Sequence, residues 1–324
     1  MNIKSEILQS SKISEYNGYT ERENDILGFD ISCNLASGNI VNMMENRQIK
    51  ETVFAAMDIM NSVSEKTNIT EVPAVAKANH AMHSVGFGVM NMHGFLAKNF
   101  IPYGSQESLE FTDVFFNIVN FYSLQHSMLK AKETGEKFYD FEHSTYADGS
   151  YFKNRGEILP TSDVVKALFE GIHIPTNKEW KKLEKEVQKY GLFNAYRQAI
   201  APTGSISYVM SATAGLTPIK SVIEERTYNN SKTFYPMPFS DVAGFLYSME
   251  SAYDLDKKKV IDLVATAQKH VDQGISFEMC VNSNLTTREL NKHQLYAWKR
   301  GIKTIYYVRT NKINEAEGCV SCAV

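Results

Sequence analysis

The stretch "TTRELNKHQLYAWKRGIKTIYYV", residues 286–308, decides the fold class. Thr286 with Glu289 three positions later makes a capping box, Gly301 stops the helix it opens, and Lys303 to Val308 then read as a β-rich strand. A helix feeding a strand is the unit of α/β architecture. Two further apolar runs, "VGFGVMNM" (Val85 to Met92) and "GISFEMCV" (Gly274 to Val281), have the length of buried strands. Helices lie between them. Thr112 to about Thr134 carries an apolar stripe ending at Gly135 and predicts a long, largely buried helix. Thr176 with Glu179 caps a more solvated helix that Gly191 closes. The alternation argues for a parallel α/β sheet or barrel with its site near one end of the strands.

Composition agrees with a folded, water-facing chain. The 324 residues are 43% apolar, 11% aromatic and 22% charged, enough to build a sizeable core. A formal net charge of -3 gives no field to gather nucleic acid or an anionic membrane, so neither is expected as a partner. No apolar stretch approaches the roughly 20 residues of a membrane helix, and the first residues lack the pattern of a secretory signal. Four cysteines make no disulfide framework, which fits a reducing cytoplasm.

Several short segments carry candidate chemistry. "APTGSISYVMSATAG" (Ala201 to Gly215) puts Thr203, Gly204, Ser205 and Ser207 behind Pro202, where backbone N–H and hydroxyl groups can converge on phosphate oxygens. An ordinary Ser/Thr/Gly turn is the plainer alternative. Tyr306 and Tyr307 stand side by side in the expected strand, so their side chains are expected on opposite faces with one or both buried. Core filling accounts for that; electron or radical transfer is the functional alternative. Cys33 and Cys280 sit in apolar surroundings and read first as small buried hydrophobes. His80, His83 and His93 lack a cysteine or carboxylate cluster to complete a ligand set, so no metal site is assigned. Cys319 and Cys322, in the terminal "EGCVSCAV", form a Cys-x-x-Cys with no apolar run to hold it in a core. In a reducing compartment such a pair is redox-active or metal-binding.

In order along the chain, "SEILQ", "DISCNLASGNI", "APTGSISYVMSATAGLTPI", "HVDQGIS", "YAWKRGIKTIYYVR" and "EGCVSCAV" closely resemble the large (α) subunit of class Ib ribonucleotide reductase, from Ser5 to Val324. The resemblance implies the C-terminal part of that family's ten-stranded α/β barrel, at residues 1–310, followed by a flexible redox tail at 311–324. It implies reduction of ribonucleoside diphosphates to deoxyribonucleotides by radical chemistry. Glu6 matches the glutamate that acts as general base toward the ribose 3′-hydroxyl, and Pro202, Thr203, Gly204, Ser205, Ile206 and Ser207 match the turn that holds the substrate phosphates. Tyr306 and Tyr307 match the radical relay; Cys33 matches one cysteine of the active-site pair, whose other member lies upstream in the family. Cys319 and Cys322 match the mobile pair that re-reduces it.

Implied partners are the N-terminal portion of the α subunit, the small β subunit and a glutaredoxin-like or thioredoxin reductant. No cofactor is expected on this chain, since the family's radical comes from the metal–tyrosyl cofactor of the β subunit. One departure matters. The family's finger loop reads Asn-Leu-Cys-Ser-Glu, whereas this chain reads "NIKSE", with Lys4 where the thiyl-radical cysteine belongs. Continuity begins at Ser5, so residues 1–4 are expected to be a non-homologous junction left by an interrupted gene. An inactive, degenerate fragment that only binds nucleotide phosphate or the small subunit is the second reading.

Overall fold

Gly88 shows why the chain places glycines in a strand: a Cβ there would meet the Ala199 carbonyl oxygen at 2.4 Å. Only a bare backbone lets residues 196–200 lie against that strand. The computed structural model describes residues 6–18, 22–67, 71–228 and 231–311. Its elements run β1 (Leu35–Asn39), α1 (Ile40–Glu45), α2 (Ile49–Lys66), α3 (Pro73–Met82), β2 (Gly86–Met90), α4 (Met92–Lys98) and α5 (Gln106–Thr134). There follow α6 (Asp163–Leu168), α7 (Asn177–Tyr190), α8 (Ile206–Val209), β3 (Ile223–Tyr228), β4 (Ser231–Pro236), α9 (Ser240–Met249), α10 (Lys257–Gln268), β5 (Glu278–Asn282), α11 (Thr287–Lys299) and β6 (Tyr307–Asn311).

β1 pairs in parallel with β2, from Leu35 opposite Gly86 to Asn39 opposite Met90, and β5 pairs in parallel with β6. Residues 196–200 join the two pairs. Parallel bridges run from Phe87 to Gln198 and from Ile200 to Ile275, with Phe87 N donating to Arg197 O at 2.8 Å and Ser276 N to Ile200 O at 2.8 Å. The result is one parallel ladder, open among the described residues, with β1 and β6 at its ends. It is part of a barrel wall.

The helices form where local signals put them. Thr176 and Glu179 complete the capping box of α7, and Thr286 and Glu289 that of α11. α5 ends on Gly135 at φ 75°, as expected, but starts at Gln106 because the Ser105 side chain accepts from Ser108 N. Its apolar residues point all round, which suits a helix packed between α2, α7 and α10. No helix among the described residues is long and apolar enough to cross a membrane.

Three boundaries differ from the expectation. The last strand is Tyr307–Asn311 rather than Lys303 to Val308, because pairing with β5 begins at Glu278 opposite Tyr307. The second ends at Met90, where Asn91 at φ 73° turns the chain into α4. Around Ile275 the chain makes only a bridge before β5 proper. The hairpin β3–β4 was not expected at all. Cys280 is buried as expected, whereas Cys33 is exposed, since it precedes the first paired residue of β1.

Candidate active site

A cavity of about 330 Å³ lies where residues 196–200 end and where β5 and β6 begin. One wall is the turn that follows residues 196–200. Thr203 holds φ 54°, sparsely populated for a residue with a Cβ, and its Oγ1 accepts from Gly215 N at 2.8 Å while its carbonyl accepts from Ser207 N. Those bonds lock the turn. Pro202, Gly204 and Ser207 line the cavity, while Thr203, Ser205 and Ile206 face a smaller hollow of about 220 Å³ on the other side. A Cβ on Gly204 would meet nothing within 4 Å, so the turn is open to a ligand there.

The opposite wall carries Tyr306 and Tyr307. Their ring centroids are 4.1 Å apart with the planes at 50°, so the two phenols touch rather than point to opposite faces. The expectation of alternation fails because Tyr306 precedes β6: its N–H donates to Phe277 O at 2.8 Å, and only Tyr307 is in the strand. Neither is buried in this chain, Tyr307 being 38% exposed. Desolvation, donation of the Tyr306 hydroxyl to Tyr307 and the nearby negative charges push the Tyr306 phenol up to about 12. It stays protonated at neutral pH.

Glu6 is 1% exposed. Its carbonyl accepts from Gly274 N at 2.9 Å, and its Oε2 accepts from the hydroxyl of Ser276, which lines the cavity, at 2.7 Å. Oε1 has no hydrogen-bond partner among the described residues. Lys220 and Arg309 both pair with Glu278, at 2.8 and 3.1 Å, and Arg226 lies 4.1 Å over the Tyr208 ring. These cations line the same cavity.

The structure therefore brings Pro202, Gly204, Ser207 and both tyrosines to one cavity, with Glu6 behind its lining residue Ser276, and leaves Thr203, Ser205 and Ile206 on the smaller hollow. It leaves Cys33 outside the cavity lining. Cys319, Cys322 and Lys4 lie outside the described residues. Ser276, Lys220, Arg226 and Arg309 were not singled out in the sequence as site residues; Ser276 sits in "HVDQGIS" and Arg309 two positions after Tyr307, so adjacency to those segments was the available signal. The histidines have other work. His83 stacks on Phe193 at 3.9 Å, and fully buried His93 accepts from Ile219 N through Nδ1, which leaves Nε2 to donate to Glu250 at 3.1 Å.

The family model for the ribonucleotide reductase barrel domain matches residues 2–240 and 243–308. Among curated proteins, the chain is 54% identical over 322 residues to the ribonucleoside-diphosphate reductase NrdEB subunit alpha of Bacillus subtilis, covering 99% of this chain and 29% of that protein. It is 51% identical over 325 residues to another ribonucleoside-diphosphate reductase subunit alpha of the same organism, covering 100% and 46%. The subunit alpha of Mycoplasma genitalium is 40% identical over 320 residues, covering 96% and 44%. The chain thus spans less than half the length of these relatives. With an open parallel ladder and a family match along almost its whole length, this chain belongs to the barrel-domain family of ribonucleotide reductases.

Proposed function

We propose that the chain is the C-terminal portion of a ribonucleoside-diphosphate reductase α subunit, active only when joined to or assembled with its N-terminal portion. The observation that carries this is the shared cavity. Pro202, Gly204 and Ser207 of the turn and two touching phenols line one space, and Ser276 ties a buried carboxylate to it. A diphosphate on the turn at Pro202 to Ser207 would bring its ribose toward Glu6, whose Oε1 is unoccupied by protein donors and suited to take the proton of the 3′-hydroxyl. Tyr306 and Tyr307 would carry the radical in from the β subunit, which holds the metal–tyrosyl cofactor.

The relatives supply the second argument, because less than half of their length is present here. The open ends of the ladder, β1 and β6, are edges that further strands can complete. Made alone, the chain should be poorly soluble and without activity. Mixed or fused with an N-terminal portion that supplies the finger-loop cysteine, or carrying Lys4→Cys in a continuous fusion, it should form deoxyribonucleoside diphosphate when the β subunit and a dithiol are present. No product from the complete, folded mixture would sink the proposal.

The tail gives a separate prediction. Thiol–disulfide exchange needs an attacking thiolate, and a tethered Cys-x-x-Cys offers one at high local concentration. Cys319→Ser or Cys322→Ser should spare the first turnover of the assembled enzyme and abolish later ones with a glutaredoxin-like or thioredoxin reductant. A small dithiol acting directly at Cys33 and its partner should partly restore them. Normal multiple turnover of both variants with the protein reductant would remove the tail from the mechanism.

A further inference from the structure

A carboxylate that serves as a base must present one oxygen to its substrate. Glu6 is buried, and its two oxygens are not equivalent. Oε2 accepts the Ser276 hydroxyl at 2.7 Å, while Oε1 has no partner among the described residues. Ser276 itself cannot drift. Its N–H donates to Ile200 O at 2.8 Å, and Gly274 N, two residues before it, donates to the carbonyl of Glu6 at 2.9 Å. The same short segment thus holds both ends of the glutamate, the backbone through Gly274 and the side chain through Ser276.

We propose that Ser276 is a positioning residue for Glu6: its hydroxyl fixes the plane of the carboxylate and so selects Oε1 as the oxygen offered to the ribose. The proposal rests on the reading of Glu6 as the active-site base. A serine hydroxyl has one proton to donate, and once that proton is spent on Oε2 the carboxylate loses its freedom to turn about the last side-chain bond. The effect is local. The cations Lys220 and Arg309 are engaged by Glu278, and Arg197 by Asp272, so the hydroxyl of Ser276 is the donor seen on the Glu6 side chain.

The test uses the assembled reductase. Ser276→Ala removes the donor but keeps the backbone bonds to Ile200 and leaves Gly274 untouched. Its kcat should fall on the order of ten- to a hundred-fold, the size of effect that misplacing a reacting group produces, with KM for the ribonucleoside diphosphate within about twofold. Ser276→Thr, which retains the hydroxyl, should recover most of the rate. If Ser276→Ala does not fold, Ser276→Cys keeps the size with a much weaker donor and should show the same loss. A folded Ser276→Ala enzyme with the parent kcat, or equal loss in the alanine and threonine variants, overturns the proposal. Glu6→Gln separates the two levels. An active Glu6→Gln enzyme refutes the role of Glu6 itself, whereas an inactive one beside a fully active Ser276→Ala enzyme refutes only the positioning role.

Discussion

Tyr306→Phe and Tyr307→Phe are each expected to bring nucleotide reduction by the assembled enzyme down to assay background, with nucleotide binding and the thermal midpoint almost unchanged. Each substitution removes one hydroxyl from a ring that is at least partly exposed in this chain, so the stability change should stay within about 0.5 kcal/mol. The chemical loss is far larger. A tyrosine gives up its proton together with its electron, and the Tyr306 phenol, pushed up to about 12, carries that proton at neutral pH. Phenylalanine has no such proton. With the rings 4.1 Å apart, removing either hydroxyl interrupts a contact pair rather than one of several alternative routes. Steady-state assays beside calorimetry decide it. Activity retained by both variants would reduce the pair to packing.

Arg197→Met should produce the largest loss of stability. Its guanidinium is fully buried, donating to Ser123 Oγ at 2.9 Å and the Tyr146 hydroxyl at 3.0 Å, and pairing with Asp272 at 3.1 Å. Asp272 also accepts from the backbone N–H groups of Arg197 and Gln198. The carboxylate would remain buried without its countercharge, which costs about 3–5 kcal/mol. In the assembled subunit this should lower the thermal midpoint on the order of 5 °C. Adding Asp272→Asn should recover part of it. An unchanged midpoint for Arg197→Met would mean that the cluster is not what holds residues 196–200 in the ladder.

Signals confined to a few residues were legible in the sequence. The capping boxes at Thr176 and Thr286 and the stop at Gly135 each depend on neighbours within one turn, and each appears where expected. Strand limits did not follow, because they depend on partners. Leu-Ala-Ser-Gly-Asn has little strand propensity, yet it is β1 because Gly86–Met90 pairs with it. The tyrosines were assigned to one strand from their propensity, whereas the register with Glu278 admits only the second. The site was legible only through family resemblance. Neither Arg197 with Asp272, 75 residues apart, nor Glu6 with Ser276, 270 apart, leaves a local trace.

That last separation has a consequence for how the molecule is made. Glu6 meets Gly274 and Ser276, and Gln9 meets Gln273, so the start of the described chain is locked to residues near its end. Closing so long a loop is slow, and its entropic cost must be met before the contacts reward it. On a ribosome adding about 5–20 residues per second, the glutamate waits on the order of tens of seconds before its partners emerge. The β1–β2 pair and the helices from α1 to α7 are made well before then, whereas α11 and the β5–β6 pair follow. The pocket lined by Ser276, Tyr306 and Tyr307 should therefore be the last part of this chain to mature, and a nascent chain arrested before residue 274 would hold most of its secondary structure without that pocket.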